Sequence, residues 1–241
     1  FPEISPEIFT LPIGSMEFSL RWYALAYIVG ILIAWRVSIR AVSRADLWQG
    51  TPPLTKPQLE DLLTWIILGI ILGGRLGFVL FYEPAYYLAN PSQILKVWQG
   101  GMAFHGGFLG VVVASWVWCV RNGVSKIAAA DTIALGVPWG LMLGRLANFI
   151  NAELWGRPSD VLWAMKFPSM CHNTVLQGCE KAGKWFYTGA ELTRHPSQLY
   201  QAALEGALLG LVLLYLAFAR GALKTRGLVT GVFVAGYGTA R

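Results

Sequence analysis

The run LLTWIILGIILGGRLGFVLFY at residues 62–82 decides the fold class, because its 21 residues hold a single formal charge, that of Arg75. A helix of about 20 mostly apolar residues matches the hydrocarbon thickness of a lipid bilayer. The run therefore predicts a membrane-spanning helix. A charged side chain inside the hydrocarbon is costly, so Arg75 is expected to have a structural or functional role.

The rest of the chain repeats this pattern. Apolar runs of similar length lie at residues 18–39, 102–120, 132–150 and 198–219, and a shorter one extends from 228 to Arg241. Of the 241 residues, 55% are hydrophobic and 13% are charged, whereas an ordinary soluble domain is about 25% charged. This composition excludes soluble, disordered and disulfide-scaffold proteins. We expect an all-α polytopic integral membrane protein with six visible spans, the sixth continuing beyond Arg241.

The positions of Lys and Arg predict the orientation of the spans. These residues concentrate in the connections after the first, third and fifth spans, whereas the N-terminal arm is acidic. The positive-inside rule places those connections in the cytoplasm and the N-terminus outside. The expected organisation is an interfacial arm at 1–16, spans one to four at 17–150, a small folded cap at 151–195, and span five with a truncated span six at 196–241. The net charge of +6 follows from this topology and forms no continuous stripe, so no nucleic-acid partner is expected.

The polar groups inside the spans all fall in the outer half of the bilayer once this orientation is applied. They are Arg75, His105, Arg145, Glu205 and Arg241, with Tyr23, Tyr237 and His195 nearby. Arginine guanidinium groups match phosphate geometry, so the partner expected at this depth is an anionic phospholipid headgroup. An imidazole titrates near neutrality, which makes His105 a candidate general base. Some of these polar residues could have purely structural roles. Arg75 could form an ion pair with Glu205, and Asp131 could be the N-cap of a helix.

Three cysteines and three histidines without a Cys-x-x-Cys motif give no expectation of a metal or another cofactor. Cys119 is expected to pack inside a span. Cys171 and Cys179 lie in the outer loop, where they could be two thiols or one disulfide. The main alternative function is a membrane transporter or binding protein for an anionic solute or lipid. It would predict polar residues in both bilayer halves and internal symmetry, and the sequence contains neither.

Residues 144–156, GRLANFINAELWG, resemble the signature of the bacterial prolipoprotein diacylglyceryl transferase family. The segments RWY at 21–23, GGMAFHGG at 100–107, RHPSQLY at 194–200 and GYG at 236–238 resemble the same family in the same order. The resemblance implies seven spans, an outward N-terminus and a site opening to the periplasmic leaflet of the bacterial inner membrane. It implies transfer of the diacylglyceryl group of phosphatidylglycerol to the lipobox cysteine of a prolipoprotein, forming a thioether and releasing glycerol phosphate.

The resemblance also assigns site residues by motif position. His105 is expected to accept the thiol proton, with His195 as the weaker candidate, and two arginines are expected to stabilise the leaving phosphate. Asn148 and Tyr237 would orient the headgroup, and Glu153 would hold an arginine. The catalytic candidates are His105, Arg145, Arg241 and Tyr23, and the substrate-binding candidates are Arg145, Asn148, Asn151, Glu153, Gly156, Tyr237, Arg241 and His195.

Overall fold

The computed structural model describes residues 1–2, 4–13, 16–171 and 184–241. The chain is mostly helical, at 65%, and it forms two compact units. Unit 1 comprises Phe1–Val37, Ala134–Arg220 and Gly231–Arg241, and unit 2 comprises Ser38–Ile133 and Gly221–Thr230.

The helices account for most of the predicted spans. Four of them, α1, α2, α4 and α7, are long and apolar enough to cross a membrane, and the broken pair α5–α6 makes a fifth if it counts as one span. Helix α8 is apolar but shorter. The prediction of a multi-span protein is thus confirmed at four to five candidate spans. The helices are α1 Trp22–Val42, α2 Lys56–Phe81, α3 Pro84–Ala89, α4 Phe104–Asn122, α5 Lys126–Ala134, α6 Val137–Ile150, α7 Ser197–Ala219 and α8 Leu228–Ala240.

Unit 2 is built on the close packing of α2 against α4. Helix α2 begins with a capping box in which Thr55 and Gln58 exchange hydrogen bonds, as the Thr55–Gln58 spacing predicts. Glycines of the two helices then face each other. A Cβ added to Gly73 would lie 2.8 Å from the Gly110 Cα, and one added to Gly77 would lie 2.8 Å from the Gly106 Cα. Only glycine permits this backbone approach, which buries the peptide groups of both helices against each other.

Unit 1 contains the packing of α6 against α7. The run 132–150 was expected to be one span, and the structure divides it, since α5 ends at Ala134 and α6 begins at Val137; the two helices together are apolar and long enough for one bent span. Pro138 occupies the first turn of α6, where its missing N–H is tolerated, and its ring prevents the helix from continuing backwards. Gly136 at the break packs on α1, since an added Cβ would lie 2.6 Å from the Ala34 Cβ.

The N-terminal segment corrects the expectation of an all-α chain. Strands β1 (Glu7–Ile13) and β2 (Met16–Arg21) pair antiparallel, so the first helix begins at Trp22 and not at residue 18. Residues 16–21, MEFSLR, alternate strictly between apolar and polar side chains, which is the period of a strand and explains the difference. Arg21 closes the hairpin with an exposed ion pair to Glu7 at 3.2 Å.

The described parts of the 151–195 segment are held together by short strands and an aromatic core. Strand β3 (Ser169–Met170) pairs with β4 (Trp185–Phe186), and the Phe1, Phe149 and Phe167 rings pack with centroids 5.3 to 6.1 Å apart. Cys119 is a buried free thiol. Cys171 is buried and disulfide-bonded, whereas Cys179 lies outside the described residues.

Asp131 has a different capping role from the one predicted. It lies inside α5 and is 1% exposed, so it does not cap the run that follows it. Its carboxylate instead accepts from the Gly227 N–H at 2.6 Å and from the Thr230 N–H and hydroxyl at 2.8 and 2.7 Å. Asp131 therefore caps the N-terminus of α8, where free backbone N–H groups need an acceptor.

Candidate active site

The signature segment in unit 1 forms a polar network at the C-terminal end of α6. Asn148, 4% exposed, donates one amide hydrogen to the Tyr23 hydroxyl at 2.7 Å and the other to Glu153 Oε1 at 2.9 Å. Asn151 Nδ2 also donates to Glu153 Oε1, at 3.4 Å. The network uses both donors of the Asn148 amide, so it fixes the ring hydroxyl of α1 against the end of α6.

A strained turn follows this network and aims Glu153. Ala152 and Leu154, on either side of Glu153, have φ values of +52° and +56°, a region that side chains with a Cβ rarely adopt. Gln198 at the start of α7 donates to the Glu153 carbonyl at 2.6 Å. Gly156 lies so close to Ser197 and His195 that a Cβ there would clash with both. The turn is therefore fixed to α7 by backbone contacts that require glycine at position 156.

Arg145 and Arg241 approach the same turns of α7. Contacts of α6 with α7 run from Trp139 at Gly210 to Met142 at Gly206, so Arg145 lies one turn further along, level with residues near 202. On α8, Gly236 packs on Leu209, and the Arg241 Nη1 lies 3.8 Å from Glu205 Oε1. The register of these helices thus places residue 145 of α6 and the Arg241 side chain along the same stretch of α7.

The two arginines differ in what they contact. Arg145 is half-buried, and its side chain makes no hydrogen bond or ion pair to any residue of the described part of the chain. Arg241 is 52% exposed and has the 3.8 Å contact with Glu205. A guanidinium has five N–H donors that need acceptors. Arg145 therefore has donors available for an anionic ligand.

Two other predicted residues of unit 1 lie in ring contacts. Tyr237 on α8 stacks on Phe233 at 6.1 Å. The His195 Nδ1 lies 3.1 Å from the Tyr200 hydroxyl, which accepts from Trp163 Nε1 at 2.6 Å. His195 is therefore part of a hydrogen-bonded chain that links the 151–195 segment to α7.

His105 lies in unit 2, in the first turn of α4, with an exposed side chain whose ring meets Phe104 edge to face. Just before α4, the chain turns at Gly100 and Gly101, and Arg75 holds this turn in place. The Arg75 Nη1 donates to the carbonyls of Gly100 and Gly101, and the latter has φ +79° with its Cα packed against the guanidinium.

Arg75 does not form the ion pair considered from the sequence. Its side chain is buried, and its Nε and Nη2 donate to the carbonyls of Ile94, Gln93 and Lys96 at 2.8, 2.6 and 3.4 Å. Its charge also lies over the Tyr87 ring, 5.1 Å from the centroid. The five N–H donors are therefore all satisfied by backbone carbonyls, and Glu205 has Arg241 as its neighbour instead.

The sequence matches known proteins along almost its whole length. Residues 9–241 match the family described as prolipoprotein diacylglyceryl transferase. The chain belongs to this family. A relative from Ruegeria pomeroyi named phosphatidylglycerol–prolipoprotein diacylglyceryl transferase is 61% identical over 242 residues, covering 100% of this chain and 79% of the relative. Relatives of the same name from Roseobacter denitrificans and Rhizobium meliloti are 55% and 46% identical, again over 100% of this chain and over 79% and 78% of each relative.

For a member of the prolipoprotein diacylglyceryl transferase family, the structure corrects the expected partner of Glu153 and adds Gln198 and Gln201, which sequence reasoning missed. Glu153 accepts from two asparagines and not from an arginine. Gln198 and Gln201 each bury an amide oxygen without a hydrogen bond from the described residues, and so does the carboxylate of Glu205. The signal was present in the sequence, because polar residues at 198, 201 and 205 recur at helical spacing inside an otherwise apolar run. Among the described residues, no cluster of three or more His, Cys, Asp or Glu side chains could hold a metal ion.

Proposed function

We propose that this protein transfers the diacylglyceryl group of phosphatidylglycerol to the lipobox cysteine of prolipoproteins. The observation that carries the proposal is the half-buried Arg145 guanidinium, which lies on the family's signature helix without an internal partner among the described residues. A buried cation in an apolar protein needs an anion. The phosphate of an anionic lipid supplies that charge at this depth, and relatives are named for this substrate.

The reaction follows from the groups present. The cysteine thiol, with an ordinary pKa of about 8.5, loses its proton to a base. The thiolate forms a C–S bond at the glyceryl carbon while the C–O bond to phosphate breaks, and glycerol phosphate leaves with the electron pair. Negative charge grows on that phosphate, where the guanidinium groups of Arg145 and Arg241 stabilise it. His105 is assigned as the base by its motif, and His195 is the alternative.

The remaining candidates form the walls of the headgroup site. Asn148 donates to the Tyr23 hydroxyl and so fixes the position of that hydroxyl beside the substrate. Asn151 and Glu153 keep the amide in place, and Gly156 admits the start of α7. Tyr237 lies one turn before Arg241 on α8, where it orients the same headgroup.

The proposal also covers the location of the protein, the number of its spans and their orientation in the membrane. The chain lies in the bacterial inner membrane with six spans. Its N-terminus, its 1–16 arm and its 151–195 cap face the periplasm. The basic connections after spans one, three and five support this orientation, and the apolar α8 supports a sixth span.

The decisive experiment incubates purified protein with phosphatidylglycerol in detergent and a synthetic lipobox peptide. We expect a slower-migrating peptide and an equal amount of glycerol phosphate. Phosphatidylethanolamine in place of phosphatidylglycerol, and a peptide with serine in place of cysteine, are the controls. An unmodified peptide with no released glycerol phosphate would contradict the function. A His105→Gln variant with near-normal transfer would contradict only the assignment of the base.

A further inference from the structure

Glu205 is a carboxylate buried where no hydrogen bond stabilises it. Its side chain is 0% exposed, and neither oxygen accepts a hydrogen bond from any residue in the described part of the chain. An ionised carboxylate without such bonds is strongly unfavourable in an apolar interior. A buried group of this kind requires an explanation beyond packing.

The Arg241 guanidinium provides the compensating charge. Its Nη1 lies 3.8 Å from Glu205 Oε1, which is within ion-pair range but longer than a hydrogen bond. The arginine side chain is 52% exposed whereas the glutamate is fully enclosed. One nitrogen of the guanidinium therefore lies beside the buried carboxylate, and its other N–H donors have no hydrogen-bond partner among the described residues.

The backbone around Glu205 is unusual as well. Residues Ala202–Leu208 of α7 form a π-helical segment, and such segments are rare and concentrate at functional sites. The same segment contains Gly206, whose missing side chain leaves room for Met142 of α6. The wider π turn thus changes the direction of the Glu205 side chain at the level where α6 and α8 both meet α7.

We propose that Glu205 is a positioning residue that holds the Arg241 guanidinium for the phosphate of the lipid substrate. This inference rests on the proposed function, in which Arg241 stabilises the departing phosphate. The buried carboxylate fixes one edge of the guanidinium, and the fork of remaining donors is left for two phosphate oxygens. Glu205 itself has no exposed surface and acts only through Arg241.

The test is a double-mutant cycle of Glu205→Gln and Arg241→Gln, measured as kcat/KM for phosphatidylglycerol with a lipobox peptide. The glutamine is isosteric, so it removes the charge without leaving a cavity. We expect Glu205→Gln alone to lower kcat/KM by about ten- to a hundred-fold, mainly through kcat, because the positioned group acts on the departing phosphate. In the Arg241→Gln background the same change is expected to alter kcat/KM by less than about two-fold, because the group that it positions is gone.

Two further variants complete the experiment. Glu205→Asp keeps the charge and is expected to retain more activity than Glu205→Gln, which also tests the inference if the glutamine variant fails to fold. Glu191→Gln, at a partly exposed glutamate of the 151–195 segment, is the control without effect. Equal losses from Glu205→Gln with and without Arg241 would overturn the positioning role. Full activity of Arg241→Gln would instead contradict the role of that arginine in the proposed function.

Discussion

Arg75 in unit 2 and Arg145 in unit 1 are both arginines within apolar helices, yet their surroundings are opposite. Arg75 is 4% exposed, and backbone carbonyls accept from each of its donors. Arg145 is half-buried and has no such partner in the described part of the chain. Composition alone does not separate the two side chains, since each lies in an apolar run beside a glycine; the signature motif at 144–156 is what marks Arg145.

The comparison indicates that Arg75 stabilises the fold of unit 2, whereas Arg145 in unit 1 is available to bind a ligand. A saturated guanidinium has no donor left for a ligand, so Arg75 acts as an internal cross-link of the Gln93–Gly101 turn to α2. An unsaturated guanidinium is unfavourable until an anion arrives. Unit 1 contains more groups of the second kind, because the Glu205 carboxylate and the amide oxygens of Gln198 and Gln201 also lack internal partners among the described residues.

The largest expected effect is on activity, from Arg145→Gln. Loss of one charge that stabilises the leaving phosphate lowers kcat by about 10²- to 10³-fold. Because Arg145 makes no internal hydrogen bond in the described structure, we expect its removal to change the free energy of unfolding by less than about 0.5 kcal/mol. Transfer kinetics and thermal unfolding in detergent check the two halves of this prediction.

Arg36→Gln is the matched control, because Arg36 is an exposed arginine on α1. It is expected to leave both the rate and the unfolding temperature unchanged. If Arg145→Gln lowered the unfolding temperature as much as it lowered the rate, the distinction between the two arginines would be lost.

The second effect is on stability, from Arg75→Gln. This substitution leaves several buried carbonyls without a donor, and we expect it to destabilise the protein by about 3 kcal/mol. Arg121→Gln on α4 is the control, since its exposed guanidinium lies over the Trp65 ring at 5.6 Å and makes a weaker contact; its loss is expected to be below about 1 kcal/mol. A stable Arg75→Gln variant with impaired transfer would show that Arg75 belongs to the site and not to the framework.

A smaller loss of stability is expected for Asp131→Asn. The carboxylate accepts from two backbone N–H groups and one hydroxyl at the start of α8, and an amide has only one oxygen to replace it. Loss of such a cap lowers the free energy of unfolding by about 1 to 2 kcal/mol. Thermal unfolding measures the loss, and Asp46→Asn, at an exposed aspartate paired with Arg44, is the control. Equal effects of the two substitutions would show that the cap of α8 contributes nothing beyond a surface pair.

The sequence predicts the spans and the motifs better than it predicts the hydrogen-bond partners of individual side chains. Apolar length identifies α1, α2, α4 and α7, because burial in lipid depends on composition alone. The break at Gly136 and the hairpin before Trp22 were missed, since both depend on short-range backbone geometry within an apolar or mixed run. The motif distinguished Arg145 from Arg75, but the acceptors of Arg75 were predicted wrongly, because they are backbone carbonyls 18 to 26 residues away in the chain.

The smallest expected effect is a gain in stability from Leu154→Gly, at the turn beside the site. Among the described residues, the non-glycine positions with positive φ are Ala152 and Leu154, both in unit 1. A bulky side chain at φ +56° raises the energy of the folded state by about 1 to 2 kcal/mol, a strain that glycine removes.

Glycine also increases the entropy of the unfolded chain, which offsets about 0.5 to 1 kcal/mol. Leu154 is 62% exposed, so its side chain contributes little packing. We expect a net stabilisation of about 0.5 to 1 kcal/mol, measured by thermal unfolding. Leu154→Ala keeps the Cβ and is expected to give no gain, and an equal gain from alanine would locate the effect in side-chain exposure and not in backbone strain.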